Sequence, residues 1–191
     1  MYELLAADPE WIDWPRTFVF WGDERCVPPD HPESNFRMAQ QALLQKVPLQ
    51  AQNVFRMLGE IEPQAAAKDY EEMLAAYFVG KEKRFDAVLL GLGEDGHTAS
   101  LFPGTPALAE SARWAAANPH PYSDGMRLTL TYPALNAARE VLFLVTGENK
   151  AGVAAEVIRN PGGPPPYPAK RVGTPDHPPH WILDQAAAGK L

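Results

Sequence analysis

Cysteine is nearly absent from this chain. Cys26 is the single one among 191 residues, so no intrachain disulfide can form, and a cysteine-built zinc site is excluded with it. The few histidines are not clustered at metal-ligand spacing, and no metal is expected. No apolar run approaches the ~20 residues of a membrane-crossing helix. The opening Met1-Tyr2-Glu3-Leu4-Leu5 lacks the basic stretch and cleavage pattern of a secretory signal. The expected compartment is therefore the cytoplasm, with no membrane partner. Positive charge is also scarce: the formal net charge is −7, which argues against a nucleic-acid partner. An anionic ligand would have to be held by a few local cations.

What is present fits a soluble α/β protein. Hydrophobic residues make up 46% and charged residues 21%, a balance that excludes wholesale disorder, and residues 1–191 suit one domain. The apolar run Thr17 to Trp21 predicts a strand ending at Gly22. Ser34 or Asn35 then caps a helix bearing Phe36, Ala39, Leu43 and Leu44 near a 3.6 period. A second helix starting about Pro63 places Ala66, Tyr70, Met73, Leu74 and Tyr77 on one face. Phe85 to Leu90 predicts a buried strand, followed by weaker strands near Arg113 to Ala117 and over Met126 to Thr131. A short helix over Pro133 to Arg139, a clear strand over Glu140 to Thr146 and a helix over Lys150 to Arg159 complete the pattern. Such alternation predicts a Rossmann-like fold, a mostly parallel sheet with helices on both faces. The proline-rich piece Pro161 to Pro168 is expected to be an ordered loop before a last strand rather than a polyproline ligand.

The richest stretch is Gly91-Leu92-Gly93-Glu94-Asp95-Gly96-His97-Thr98-Ala99-Ser100-Leu101-Phe102-Pro103. It sets a histidine, a carboxylate and two hydroxyls on a glycine-rich turn at a strand end. Gly91, Gly93 and Gly96 also spell the G-x-G-x-x-G pattern of dinucleotide-binding proteins. That function needs a long helix starting within the motif and an acidic residue at the next strand end. Pro103, Gly104 and Pro106 interrupt any such helix, and Glu110 lies in a polar segment, so no nicotinamide cofactor is expected.

In parallel α/β sheets, ligands bind beyond the carboxyl ends of the strands. Three polar clusters follow predicted strands: Gly22-Asp23-Glu24-Arg25, Asp95 to Ser100, and Gly147-Glu148-Asn149-Lys150. Their convergence would bring the cations Arg25 and Lys150 beside the imidazole of His97, a setting for a small anionic substrate and acid/base chemistry. Each has a duller reading. Arg25 could pair with its acidic neighbours on the surface, and His97 could be structural. Lys150 at a helix start opposes the macrodipole unless an anion compensates it.

At these residues the sequence closely resembles the 6-phosphogluconolactonases of the pentose phosphate pathway. The matching segments are Phe20 to Pro28 with Ser34-Asn35, Gly91 to Pro103, Arg127-Leu128-Thr129-Leu130-Thr131 with Pro133 to Asn136, and Val145-Thr146-Gly147 with Lys150-Ala151. They occur in family order over nearly the whole chain. Glucosamine-6-phosphate deaminases share the fold and a similar D-G-H loop. That branch has Asp-Glu-Tyr where this chain has Asp23-Glu24-Arg25, and Asn-Glu-Pro-Gly where it has Ser100-Leu101-Phe102-Pro103. The family usually begins with a further strand and a Gly-Gly-Ser-Thr-Pro type loop that helps hold phosphate. In this sequence Met1 to Ala7 is expected to be the remainder of the following helix, so that first strand of the family fold is expected to be missing.

The resemblance implies hydrolysis of 6-phospho-D-glucono-1,5-lactone to 6-phosphogluconate, with a sugar-phosphate lactone as the partner and neither cofactor nor metal. It implies His97 as general base and Asp95 orienting the imidazole or binding sugar hydroxyls. Backbone N–H groups around Gly93 to Gly96 would stabilise an oxyanion, Arg25 and Lys150 would hold the phosphate, and Asp23 would contact substrate. Ser34, Asn35 and Arg127 lie in matching motifs without an assigned role. A sugar-phosphate isomerase or deaminase and a non-catalytic phosphosugar-binding protein are the alternatives.

Overall fold

The structure, a computed structural model, describes residues 1–164 and 166–191. In chain order its elements are α1 (Tyr2–Ala7), β1 (Val19–Phe20), β2 (Asp23–Arg25), α2 (Asn35–Ala39), β3 (Val54–Phe55), α3 (Pro63–Tyr77) and β4 (Ala87–Leu90). These are followed by β5 (Ala115–Pro119), β6 (Met126–Leu130), α4 (Tyr132–Asn136), β7 (Glu140–Val145), α5 (Ala151–Arg159) and β8 (His180–Leu183). Three ladders result: β1–β3 and β4–β7–β8 are parallel, and β2–β6–β5 is antiparallel. This is an α/β, Rossmann-like arrangement with an added antiparallel sheet that alternation of β and α does not announce.

Local chemistry explains the elements. Ser34 caps α2, its hydroxyl accepting from the Arg37 N–H, and the helix continues as a π stretch over Gln40–Leu44. Pro63 opens α3, whose first N–H groups, those of Gln64 and Ala65, are taken by the Glu62 carboxylate. The buried face of α3 carries Ala66, Ala67, Tyr70 and Leu74. The hydroxyl of Tyr70 accepts from Trp21 N and donates toward Trp21 O, stitching this helix to the end of β1. Burial pushes that hydroxyl well above its ordinary pKa. Around it Phe20 stacks on Phe55 at 4.8 Å and meets Tyr77 edge-on at 4.9 Å.

Three expectations change. Asp23 to Arg25 is not a loop beyond a strand but a strand itself, pairing with Thr129 to Arg127. The stretch Phe85 to Leu90 is not buried on both faces. Only Val88 and Leu90 of β4 are buried and Leu89 is 44% exposed, because successive side chains point to opposite faces and only one face of β4 is covered. The predicted strand near Arg113 lies two residues further on, at Ala115–Pro119. In the segment Pro161 to Pro168, Pro165 lies outside the described residues. Beyond it Pro168–Arg171 forms a 3-10 turn that leads to β8, the expected last strand.

β1 and β4 are not paired with each other. A cleft of about 870 Å³ lies along them, walled by apolar side chains such as Phe20, Tyr77, Val88 and Leu90, and lined also by Asp23, Gly93, His97 and Lys150. No described helix is long and apolar enough to cross a membrane.

Candidate active site

The site begins where β4 ends. The Thr98 hydroxyl donates to Gly91 O at 2.8 Å, Gly93 N–H donates to His97 O at 2.8 Å, and Gly96 N–H donates to Gly93 O at 3.0 Å. These bonds fold Gly91 to Thr98 back on itself. Gly96 has φ +76°, and a Cβ there would strike the ring of Tyr167, so glycine is required both for the turn and for the packing. At Gly93 an added Cβ would collide with the His97 imidazole and the Asp95 carboxylate. The missing side chain lets the ring lie against the backbone.

The imidazole is held on both faces of its chemistry. His97 Nδ1 lies 2.6 Å from Asp95 Oδ1, which also accepts from His97 N–H at 3.1 Å. Asp95 Oδ2 accepts from the Tyr122 hydroxyl at 3.0 Å. Burial pushes the Asp95 carboxyl up, but the hydrogen bonds from His97 and Tyr122 outweigh it and hold the group below its ordinary range. An ionised carboxylate can only accept, so neutral His97 carries its proton on Nδ1 and leaves Nε2 with a free lone pair. The ring packs at a tilt against Phe102 at 4.6 Å, and Phe102 meets His120 edge-on at 4.8 Å.

The other side of the loop is tied to the antiparallel sheet. Ser100 Oγ donates to Asp23 Oδ2 at 2.7 Å, Ser100 N–H donates to Thr129 Oγ1 at 3.1 Å, and Asn118 Nδ2 donates to Ser100 O at 2.8 Å. Ala99 turns through φ +47° to deliver this serine, a left-handed conformation that costs an alanine about 1–2 kcal/mol. Behind it, Glu24 is buried and its carboxylate accepts from Arg25 N, Ser34 Oγ, Asn35 N and Phe36 N. Asn35 then bridges Asp23 and Arg25: its Nδ2 donates to Asp23 Oδ1 at 3.2 Å and its Oδ1 accepts from Arg25 Nη1 at 2.9 Å.

The expected residues thus fall in two groups. Asp23, Gly93, His97 and Lys150 line one cleft. Lys150 precedes α5, and the loop before it is fastened to the glycine-rich loop by Asn149 Nδ2 donating to Glu94 Oε1 at 2.7 Å. Arg25 lies outside that lining. It makes no surface pair with its acidic neighbours, and its guanidinium donates instead to Glu33 O at 2.6 Å and to Asn35. Gly93 and Gly96 are in the loop as expected, but their N–H groups are spent within it. Those of Glu94 and Asp95 have no partner among the described residues.

Sequence reasoning missed Glu24, Ser100, Asn118, Thr129, His120 and Tyr122 as parts of the assembly. Ser100 carried a signal, being a hydroxyl in the glycine-rich stretch. The others are common polar residues whose partners are set by register and turn geometry. Among the described residues no three His, Cys, Asp or Glu side chains converge as a metal site requires.

Fold and site together define an α/β protein of Rossmann-like fold with a carboxylate-oriented histidine at the carboxyl end of a parallel strand, in a cleft that also presents a lysine. Residues 1–181 match the family model of glucosamine-6-phosphate isomerases/6-phosphogluconolactonase. A 6-phosphogluconolactonase of Synechocystis sp. is 42% identical over 196 residues, which span 100% of this chain and 79% of that protein. The solved structure of a devB protein superposes with a TM-score of 0.90 at 39% identity, covering 100% of this chain and 81% of the other. That of 6-phosphogluconolactonase from Thermotoga maritima superposes with a TM-score of 0.81 at 29% identity, covering 96% and 79%. The chain belongs to the glucosamine-6-phosphate isomerase/6-phosphogluconolactonase family.

Proposed function

We propose that this chain is a hydrolase that opens 6-phospho-D-glucono-1,5-lactone to 6-phosphogluconate, with His97 as general base. The observation that carries the reading is the 2.6 Å contact between His97 Nδ1 and Asp95 Oδ1, in a cleft that Lys150 also lines. The lactonase names of the relatives supply the substrate. Residues 1–191 act as one domain, on a small molecule in the cytoplasm.

His97 Nε2 takes a proton from water as the oxygen attacks the lactone carbonyl carbon. The tetrahedral adduct collapses by breaking the bond to the ring oxygen, which receives that proton from the imidazolium as it leaves. Asp95 fixes the tautomer for the first half and stabilises the cation formed in the second. The N–H groups of Glu94 and Asp95, without partners among the described residues, are the backbone donors for the developing oxyanion, rather than those of Gly93 and Gly96. Lys150 and Arg25 hold anionic oxygens, and Asp23, steadied by Ser100 and Asn35, accepts sugar hydroxyls.

The test is acid release from freshly generated lactone at pH 7, with spontaneous opening subtracted. His97→Ala should lower kcat by ~10² or more while the variant still binds 6-phosphogluconate. An unchanged kcat would remove His97 from the chemistry, and no catalysis by the parent chain would remove the lactonase reading itself.

A further inference from the structure

Arg25 and Arg127 are directly opposite each other in the antiparallel pairing of β2 with β6, so their side chains leave the same face of that sheet. Like charges in this position repel and weaken a strand pair. Each is half-buried, and among the described residues neither has a carboxylate at ion-pair distance, although five other arginines do. The nearest acid on that face, Asp23, is already accepting from Ser100 and Asn35. Arg25 is aimed by its bonds to Glu33 O and Asn35 Oδ1, whereas among the described residues Arg127 makes a single side-chain hydrogen bond, from Nη1 to its neighbour Met126 O at 3.2 Å. Most of its fork of donors is therefore uncommitted.

The surroundings raise the positive potential further. The rings of His97 and His120 both pack against Phe102, at 4.6 and 4.8 Å, and Ser100 of the same loop bonds to Asp23, two residues before Arg25 on β2. Burial, then Arg127 and His97, push the His120 imidazole below its ordinary pKa, and burial and Arg25 do the same to the Arg127 guanidinium. Each group thus feels the others' charge. Two facing guanidinia with free donors are the geometry that binds oxyanions bidentately.

We infer that Arg25 and Arg127 together form an oxyanion seat beside His97, and that Arg127 is a substrate-binding residue of this site. Lys150, which lines the cleft with His97, is then a second cationic pole. 6-Phosphogluconate has two anionic ends, a phosphate and a carboxylate, and one pole serves each. This rests on the lactonase reading for the identity of the ligand, but the seat itself rests on the facing arginines.

The experiment is a calorimetric or NMR titration of the full chain and of Arg127→Gln and Arg127→Lys with inorganic phosphate, gluconate and 6-phosphogluconate. Arg127→Gln should weaken 6-phosphogluconate binding about tenfold or more. Arg127→Lys, which keeps the charge and loses the fork, should recover part of it. Loss confined to phosphate assigns the seat to the phosphate, and loss confined to gluconate assigns it to the carboxylate. The melting temperature of Arg127→Gln without ligand should hold or rise, because a repulsion is removed. Unchanged affinity for all three ligands, or a fall in melting temperature at unchanged affinity, overturns the seat. Should the Gln variant fail to fold, full affinity in Arg127→Lys overturns it instead. Binding of anions through this pair by a chain that does not open the lactone would sink the hydrolase reading and leave the seat standing.

Discussion

The loop from Gly91 to Phe102 hangs between two sheets that hold it by different physics. On one side the parallel ladder β4–β7–β8 is apolar: Val88, Leu90, Val141, Phe143 and Val145 are buried, and Phe143 stacks on Trp181 at 4.1 Å. On the other side the antiparallel ladder β2–β6–β5 buries Glu24, Asn118 and Thr129, each hydrogen-bonded to the loop or to a segment supporting it. Apolar packing sets where the loop leaves the sheet and tolerates volume-conserving change. Buried polar bonding sets where single side chains stand, and it fails sharply, since a donor left without its acceptor pays its full desolvation. The imidazole of His97 depends on both: a fixed strand end for its backbone and a fixed partner for its ring.

The comparison is tested hardest at Glu24. Glu24→Ala leaves the N–H groups of Arg25, Asn35 and Phe36 and the Ser34 hydroxyl without their acceptor. The expected loss is about 3–5 kcal/mol of folding stability, read by denaturant unfolding. Val145→Ala in the parallel sheet removes a buried side chain from an apolar site and should cost about 1.5–3 kcal/mol. An equal or larger loss at Val145 would break the distinction between the two sheets.

Gly96→Ala sharpens it from the loop itself. The backbone conformation costs an alanine about 1–2 kcal/mol, and the added methyl must also displace Tyr167, whose segment is held by Ala169 N–H donating to Gly96 O at 3.0 Å. Both stability and kcat should fall, because the displaced turn carries Asp95 and His97. A fall in stability with kcat intact would mean that the polar sheet alone positions the imidazole.

The same contrast decides what could be read in advance. The glycine-rich loop, His97, the Ser34 cap, the α3 face and the strand Glu140–Val145 follow from period and from glycine, signals carried within a few residues. Asp23 to Arg25 gives the opposite lesson. Asp-Glu-Arg has the polarity of a turn, yet it forms a strand, because its N–H and C=O groups find β6 far along the chain. The use of Glu24 depends on Ser34 to Phe36 coming back beside it, and the facing of Arg25 and Arg127 is a matter of register. Neither leaves a trace in composition or periodicity. The resemblance to the lactonases pointed to segments that come together in the fold, while the hydrogen bonds between them depend on register and turn geometry.

The smallest expected effect is in acid, at the turn that leads into β5. Glu110 Oε1 accepts from the N–H groups of Ser111, Ala112 and Arg113, and its Oε2 accepts from Arg113 Nε at 2.6 Å. The backbone bonds from Ala112 and Arg113, with the Arg113 side chain adding to them, outweigh burial and hold the carboxyl down at about 2. A carboxyl whose folded pKa lies below its unfolded one binds fewer protons in the native state. Its contribution is therefore complete above the ordinary value of 4.5 and is lost as pH falls toward about 2. Glu110→Gln should lower unfolding stability near neutrality, where the carboxylate's contribution is complete, and flatten its fall over that window, changing little at the acid end. The amides of β5 should show the difference by hydrogen exchange, and those of β7 should not. Equal flattening in both strands would mean that the polar and apolar sheets unfold as one unit in acid, and that their difference is confined to how they hold the loop.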